Sequence, residues 1–260
     1  MEKYTAVVLA GAPNEGALKE VAGDRYEALI EVAGRPMISY VIGTLRRSPH
    51  IGRIGVVGPV EELSKAVGDT VDWLEPSGQA LIDNIFRGLE RAARDSVAQK
   101  GHKILLVTSD IPLLSTEALD DFFQRCQARG GRDVYYPVVP REANEAKYPG
   151  VHRTYVRTKE GTFTGGNLVL VAPEALGKIR TLLAAAVNLR KKPWQLSRLL
   201  GLRFTLKLLF HRLSVQDVEA WLPRALGITG AAIISPYPEV GIDVDKPSDL
   251  ALVRQVFAER

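Results

Sequence analysis

The chain has 260 residues, 46% of them hydrophobic and 25% charged, so it can bury a substantial core and is not intrinsically disordered. Its single cysteine, Cys126, excludes an internal disulfide and is typical of an inert core thiol in a reducing compartment. No apolar stretch is long enough to span a bilayer and no signal-peptide pattern opens the chain, which predicts a cytoplasmic protein without a transmembrane segment.

Four short aliphatic runs recur along the first half of the chain. They read YTAVVLA, RIGVVG, KILLVTSD and DVYYPVV and begin at Tyr4, Arg53, Lys103 and Asp133. Each is apolar on both faces, which is typical of a buried parallel strand. Helical patterns separate them: RPMISYVIGTLRRS, GQALIDNIFRGLERAARDS and STEALDDFFQRCQARGG. The alternation predicts a Rossmann-like three-layer α/β/α fold with a mostly parallel sheet.

The pattern changes after Pro173, where helix-favouring residues extend to about Gly227 before the strand-like AAIIS at Ala231. We therefore expect a single α/β domain over residues 1–260 with a helical insertion at about 174–227. Basic residues interleave with leucines there: Arg190, Lys191, Lys192, Arg198, Arg203, Lys207, His211 and Arg212. This cationic face is compatible with a solvated surface, a lid over an anionic acceptor, a homodimer interface or a peripheral contact with acidic lipid headgroups. No nucleic-acid-binding motif accompanies the charge, so no nucleic-acid partner is expected.

A glycine-containing turn, AGAPNEG, follows the first aliphatic run. Gly11 and Gly16 have P-loop spacing, but Ala17-Leu18 replaces the Lys-Ser/Thr pair that a Walker A loop requires. The dinucleotide fingerprint G-x-G-x-x-G is also missing. Taken alone, the turn either binds phosphates or simply connects a strand to a helix.

Four segments together carry a family resemblance. LAGA at residue 9 and EALIEVAGRPMI at residue 27 lie in the first quarter of the chain, and ILLVTSDIPLL and GIDVDKPSDL follow at residues 104 and 241. In this combination the sequence resembles the nucleotidyltransferases of the molybdenum-cofactor guanylyltransferase and sugar-nucleotide pyrophosphorylase superfamily. The resemblance covers most of the chain except the helical insertion, and implies the nucleotide-diphospho-sugar transferase type of fold.

The resemblance implies a metal site at two aspartates. Asp110 corresponds to the family's Asp-x-Pro aspartate and Asp243 to its second metal ligand, with Asp245 as a reserve ligand; Mg²⁺ is the expected ion and Mn²⁺ an alternative. The residues themselves agree, because Asp110 ends an apolar strand, where open α/β sheets bind ligands, and Mg²⁺ prefers carboxylates together with phosphate oxygens. The structural alternative is that Asp110 caps the next turn and Asp243 or Asp245 caps the final helix.

Further residues are assigned to the two substrates. The nucleotide-binding candidates are Leu9, Ala10, Gly11, Ala12, Pro13, Asn14 and Glu27, with Ser77, Gly78 and Gln79 for the base and ribose. Ser77 to Gln79 equally fit a plain helix cap. The segment that resembles the family's acceptor strand supplies Thr164, Gly165, Gly166 and Asn167, which otherwise read as a glycine bulge. Lys19 is the candidate catalytic cation, with Arg25 and Arg35 as alternatives.

Two positions depart from the family pattern. Ala12 occupies the place of the second loop glycine, and Glu27 stands where the family has a lysine beside the triphosphate. The leading hypothesis is a Mg²⁺-dependent nucleotidyltransferase that moves a nucleoside monophosphate from a nucleoside triphosphate to a small phosphorylated acceptor and releases pyrophosphate. The alternatives are a nucleotide-sugar-dependent glycosyltransferase that uses Asp243-x-Asp245 as its metal motif, and a non-catalytic nucleotide-binding member.

Overall fold

A nine-stranded mixed sheet forms the middle layer of the protein in a computed structural model that describes residues 3–95, 102–180, 202–209 and 212–259. A separate two-stranded hairpin pairs Glu31–Val32 with Arg35–Pro36. In chain order the strands are β1 (Tyr4–Leu9), β2 (Glu31–Val32), β3 (Arg35–Pro36), β4 (Ile51–Gly58), β5 (Trp73–Pro76), β6 (Ile104–Thr108), β7 (Val134–Pro140), β8 (Val156–Arg157), β9 (Thr162–Gly165), β10 (Leu168–Val171) and β11 (Gly230–Ile234).

Helices cover both faces of this sheet. They are α1 (Met37–Arg47), α2 (Val60–Val67), α3 (Leu81–Asp95), α4 (Thr116–Ala128), α5 (Arg141–Lys147), α6 (Leu202–Leu209), α7 (Val215–Leu226) and α8 (Pro247–Ala258). Among the described helices, none combines the length and apolarity that crossing a bilayer requires. The predicted α/β fold with a mostly parallel sheet is confirmed.

The sheet has a parallel half and a mixed half. Its order is β5-β4-β1-β6-β10-β7-β9-β8, and β11 pairs with β7 in addition. The strands from β5 to β6 are parallel, whereas β10 runs antiparallel to both β6 and β7, and β8 and β9 are antiparallel as well. Because Leu9 is in register with Thr108, the carboxyl ends of β1 and β6 lie side by side. The loops that follow these two strands must therefore meet at one edge of the sheet.

The central strands are buried on both faces, as their composition predicts. In β1, Ala6 and Val8 pack into the core beneath α1 and α4, while Val7 faces the opposite core beneath α3. Gly88 of α3 approaches Val7 so closely that an added Cβ would lie 2.4 Å from the Val7 Cγ1 atom. Each face buries aliphatic side chains worth about 1.5–3 kcal/mol apiece relative to exposure. This packing fixes the parallel half of the sheet.

Two local predictions about α4 and its cysteine are supported. Ser115 is the N-cap of α4, and its hydroxyl accepts a hydrogen bond from the Ala118 N–H at 3.1 Å. Gly130 follows the helix with a φ of +70°, the left-handed conformation that favours glycine. Cys126 is buried in the core, and burial raises the pKa of its thiol well above the ordinary range. The thiol is therefore protonated and acts as a core side chain.

Part of the predicted helical insertion, residues 181–201, 210 and 211, lies outside the described residues, and the boundary at about 174–227 stays a prediction. The same holds for its basic residues Arg190, Lys191, Lys192, Arg198 and His211. The described part contains α6 and α7. Helix α7 begins with a capping box in which Ser214 and Asp217 each accept a backbone N–H of the other, and ends at Gly227 with a φ of +62°. Lys207 of α6 is ion-paired with Asp217 at 2.6 Å.

Candidate active site

The loop after β1 is held by side-chain hydrogen bonds at its far end and has backbone N–H donors available at its near end. Asn14 is buried, and its side-chain amide donates to the carbonyl oxygens of Ala22 and Asp24, both at 3.0 Å. In contrast, the N–H groups of Gly11 and Ala12 have no hydrogen-bond partner within the described part of the chain. Two adjacent free N–H groups at a strand's carboxyl end can donate to an anion. Pro13 contributes no donor.

The Ser77–Gly78 turn lies directly across from Gly11. The Gly78 N–H donates to the Asn84 Oδ1 atom at 2.6 Å, and a Cβ added at Gly11 would lie 2.7 Å from Asn84 Nδ2 and 3.1 Å from Ser77 Cβ. A side chain at position 11 would thus fill the space between the loop and the turn. The structure brings these candidates together, whereas Gln79 is exposed and no contact places it against the loop. Asn84 is buried here and was not predicted from the sequence.

Three carboxylates converge next to this loop. Asp110 follows β6, while Asp243 and Asp245 lie on the segment that enters α8, and one oxygen of each is within 4.8 Å of the others. Asp110 is fixed by the Thr108 hydroxyl, which donates to its Oδ1 atom at 2.5 Å. The Val244 N–H donates to the Asp110 carbonyl oxygen at 2.9 Å and ties the two segments together. The sequence alone gave no reason for residues so far apart to meet; only the resemblance implied it.

The alternative in which these aspartates cap secondary structure is wrong. The N-cap of α8 is Lys246, with no side-chain hydrogen bond to the helix, and the N-cap of α4 is Ser115. The Asp110 carboxylate instead accepts from Thr108, outside any helix. Their side chains are therefore available for a ligand.

Burial, with a smaller effect of neighbouring negative charges, raises the pKa values of Asp110 and Asp243. Burial raises the pKa of Asp110 to about 6, assisted by the negative charges of Asp245 and Glu27 and opposed by the Thr108 hydrogen bond. Burial also raises the pKa of Asp243 to about 7, with Arg153 opposing the shift and the other two aspartates adding to it. The pKa of Glu27 is raised by its own burial and then by Asp245. Glu27 therefore belongs to the same electrostatic cluster.

Arg153 is the cation that the structure places at this cluster. Its side chain is only 8% exposed, it is ion-paired with the Asp243 carboxylate, and it donates to the Asp243 carbonyl oxygen at 2.6 Å. In the sequence, Arg153 stands out only as one member of a basic run. Lys19, the predicted catalytic cation, is exposed on a short 3-10 helix (Ala17–Glu20) and forms no ion pair within the described residues. Arg25 is 80% exposed and faces Glu62 at 3.8 Å.

The candidate acceptor segment is bonded to the chain that carries the aspartates. The Gly166 N–H donates to Pro137 O at 2.9 Å, and the Asn167 N–H donates to Val240 O at 2.7 Å. On its other side, Asn167 O accepts from the Thr108 N–H at 3.1 Å. The segment is therefore hydrogen-bonded both to Thr108, at the end of β6, and to Val240, three residues before Asp243. Thr164 is buried and Gly165 exposed at its start.

The donor set fits a hard divalent cation. Three carboxylates supply only oxygen, which Mg²⁺ and Mn²⁺ accept, and Arg153 is ion-paired with only one of them, Asp243. Asp110, Asp243 and Asp245 are the residues that would hold the ion. Phosphate oxygens could complete its coordination at the loop side of the cluster.

A family profile, the MobA-like NTP transferase domain, matches residues 6–198. The chain belongs to this family. It is 26% identical over 254 residues to the 2-C-methyl-D-erythritol 4-phosphate cytidylyltransferase of Frankia casuarinae, covering 96% of this chain and 81% of that protein. The match places the glycine loop, Ser77 and Asp110 inside a nucleotidyltransferase domain.

Two solved structures share the fold of this NTP transferase. A hypothetical transferase from Thermus thermophilus is 37% identical, with a TM-score of 0.80 over 95% of this chain and 99% of that one. The CMP:2-keto-3-deoxy-manno-octonic acid synthetase, whose structure was solved with CTP, superimposes with a TM-score of 0.59 and 15% identity over 99% of each chain. The second likeness concerns the fold alone.

Proposed function

We propose that this NTP transferase moves a nucleoside monophosphate from CTP to a small phosphorylated acceptor, with Mg²⁺ as cofactor and pyrophosphate as the second product. The observation that carries the proposal is the juxtaposition of two free loop N–H groups with the carboxylate cluster at adjacent strand ends. CTP is favoured over other triphosphates because the Frankia relative is named as a cytidylyltransferase.

Each part of the site has a role in this reaction. The N–H groups of Gly11 and Ala12 bind triphosphate oxygens, and the Ser77–Gly78 turn contacts the nucleoside. Asp110, Asp243 and Asp245 would hold the cation, which would supply positive charge to neutralise the phosphates. Thr108 holds the Asp110 carboxylate, and Arg153 holds that of Asp243, so that both oxygen ligands are positioned before substrate arrives.

The bond changes are those of an in-line substitution. An oxygen of the acceptor's phosphate attacks the α-phosphorus of CTP, a new P–O–P bond forms, and the bond from the α-phosphorus to the bridging β-phosphate oxygen breaks. Pyrophosphate leaves with that electron pair, so no proton transfer is needed when the acceptor phosphate is dianionic. The Thr164–Asn167 segment is the proposed acceptor side, because it is bonded to the approach to Asp243.

A direct test measures pyrophosphate release from CTP with a panel of phosphorylated acceptors. We expect release that requires Mg²⁺ and falls at least 100-fold in Asp243→Asn, because one charged oxygen ligand is lost. Asp69→Asn, at an exposed aspartate away from the cluster, should match the unchanged protein.

Two other results would redirect the assignment. Turnover of a nucleotide sugar, without pyrophosphate release from any bare triphosphate, would favour the glycosyltransferase alternative. Binding of CTP without turnover across the panel would favour a non-catalytic member, for which the carboxylate at Glu27 is the specific observation.

A further inference from the structure

An apolar cavity of about 400 Å³ lies between the mixed half of the sheet and α7. Its floor is formed by Val134 and Val138 of β7 and by Phe163 of β9, and its roof by Val218 and Leu222 of α7. Its size falls within the range of about 300–1,000 Å³ that is typical of small-ligand pockets.

Helix α7 is held to the sheet at two places. Leu222 sits over Gly230 of β11, where an added Cβ would lie 2.3 Å from the Leu222 Cδ1 atom. Glu219 accepts from Arg129 at 2.6 Å and from the Ala232 N–H at 3.0 Å, which anchors the helix to the same strand. At the start of the helix, the Val215 N–H donates to the Glu160 carboxylate at 3.1 Å, in the turn between β8 and β9. Val218, between these attachments, lines the cavity.

Two exposed apolar side chains line the cavity. Tyr136 is 42% exposed and Val156 47% exposed, and both line it. Exposed large apolar groups around a concave site indicate a ligand surface more often than chance exposure does. The polar side chain of Glu219 is already engaged, so the lining offers mainly hydrocarbon contact.

The cavity is continuous with the proposed acceptor side. Thr164 and Gly165 line it and also begin the acceptor segment. The Tyr136 hydroxyl lies over Gly165, where an added Cβ would be only 2.2 Å away from it. From Gly165 the backbone passes to Asn167, which is bonded to Val240 three residues before Asp243. Burial raises the pKa of Tyr136 and the Asp243 charge adds to the rise, so the two groups are electrostatic neighbours.

We propose that this cavity binds the apolar portion of the acceptor, so that the acceptor is a phosphate monoester of a hydrocarbon chain rather than a wholly polar sugar phosphate. The inference rests on the proposed function. The phosphate end lies toward Asp243 and the chain extends past Gly165 into the space under α7. The contacts made there do not depend on the bound nucleotide.

The test measures the affinity of butyl, hexyl and octyl phosphate by calorimetry, below their micelle concentrations. Burial of each methylene should tighten binding about fourfold until the cavity is filled. Val218→Trp places an indole in the cavity and should abolish this chain-length dependence. Ala225→Trp puts the same side chain at an exposed position of α7 and should retain it. CTP binding with Mg²⁺ is measured in parallel on all three proteins.

Other outcomes would overturn the inference. A flat chain-length series on the unchanged protein, with CTP still bound, would contradict the apolar acceptor and leave the nucleotidyltransferase proposal intact. Chain-length dependence without CTP binding would also overturn it, because the cavity would then serve a ligand unrelated to nucleotidyl transfer. A third outcome is that affinity does not change with chain length while the protein self-associates. If Val218→Trp abolishes that self-association, a second copy of the chain covers this surface.

Discussion

Asp110 makes the stability of the metal-free protein depend on pH. Its pKa of about 6 in the folded chain lies above its ordinary value, so the folded state holds a proton that the unfolded state has released. The free-energy cost of ionising Asp110 in the folded protein is absent below about pH 4, grows as pH rises, and is complete above about pH 7. Stability should therefore fall over this range, which is the reverse of the behaviour of an ion-paired carboxylate.

Asp110→Asn should remove that penalty, since an amide oxygen can still accept from Thr108 but cannot ionise. We expect the variant to gain roughly 2 kcal/mol in unfolding free energy at pH 8, after discounting for partial solvent access, and almost nothing near pH 4. Urea unfolding in the presence of a chelator measures this change in unfolding free energy, with Asp69→Asn as the control. A gain that does not change with pH, or a loss at pH 8, would contradict the electrostatic account.

Glu27 is the residue at which the site departs most from its family. Its carboxylate adds to a cluster that already repels a triphosphate in the absence of a cation. Glu27→Lys should therefore tighten CTP binding in metal-free buffer by about 5- to 10-fold, equivalent to about 1 kcal/mol. Calorimetry measures the change, and Glu174→Lys makes the same charge change at an exposed position. Weaker binding, or loss of a measured activity, would show that Glu27 has a role of its own.

At the scale of elements, the acceptor segment depends on two glycines for different reasons. A Cβ at Gly166 would lie 3.0 Å from the Val240 carbonyl oxygen and 2.7 Å from Pro137 Cγ, neither of which can rotate away. A Cβ at Gly165 would meet the outer end of the Tyr136 side chain, 2.2 Å from the hydroxyl oxygen and 3.1 Å from Cζ. The sequence showed the glycines but gave no way to distinguish a bulge from close approach of another backbone.

Gly166→Ala should consequently cost about 2 kcal/mol in unfolding free energy, in the range of other overpacked sites. Gly165→Ala should cost less than about 1 kcal/mol, and the cost should shrink when it is made in a Tyr136→Phe background, since the nearest clash is with the hydroxyl. Thermal or urea unfolding of the unchanged protein, the three single variants and the double variant tests this. Equal costs at the two glycines would mean that the segment is not held as tightly as its hydrogen bonds indicate.

Elements were predictable from the sequence where one local signal sufficed. Double-sided burial identified β1 and β6 as interior parallel strands, and Ser115 marked the start of α4. The antiparallel insertion of β10 between β6 and β7 was not predictable, because strand direction depends on chain connections rather than on residue pattern. The short hairpin of β2 and β3 also lacks a distinctive pattern.

At the scale of the whole molecule, the site is assembled from distant parts of the chain. Asp110 could also be identified from its place at the end of an apolar strand, but Asp243 was identified only because it belongs to a family motif. Their meeting is a consequence of the sheet order and of the Val244–Asp110 hydrogen bond. Arg153 escaped prediction because an exposed basic run and a buried ion pair look alike in sequence. Its partner becomes evident only when the loop before β8 is folded against the segment that enters α8.

The central claim is that the loop and the carboxylate cluster form one nucleotide site that depends on a divalent cation. Calorimetric titration of CTP, with Mg²⁺ and with a chelator, tests it most directly on the unchanged protein and on Asp110→Asn. We predict binding that weakens at least 10-fold, about 1.4 kcal/mol, when either Mg²⁺ or the Asp110 charge is removed, with no further loss when both are removed. Equal affinity under all four conditions, or no binding of CTP at all, would contradict the account.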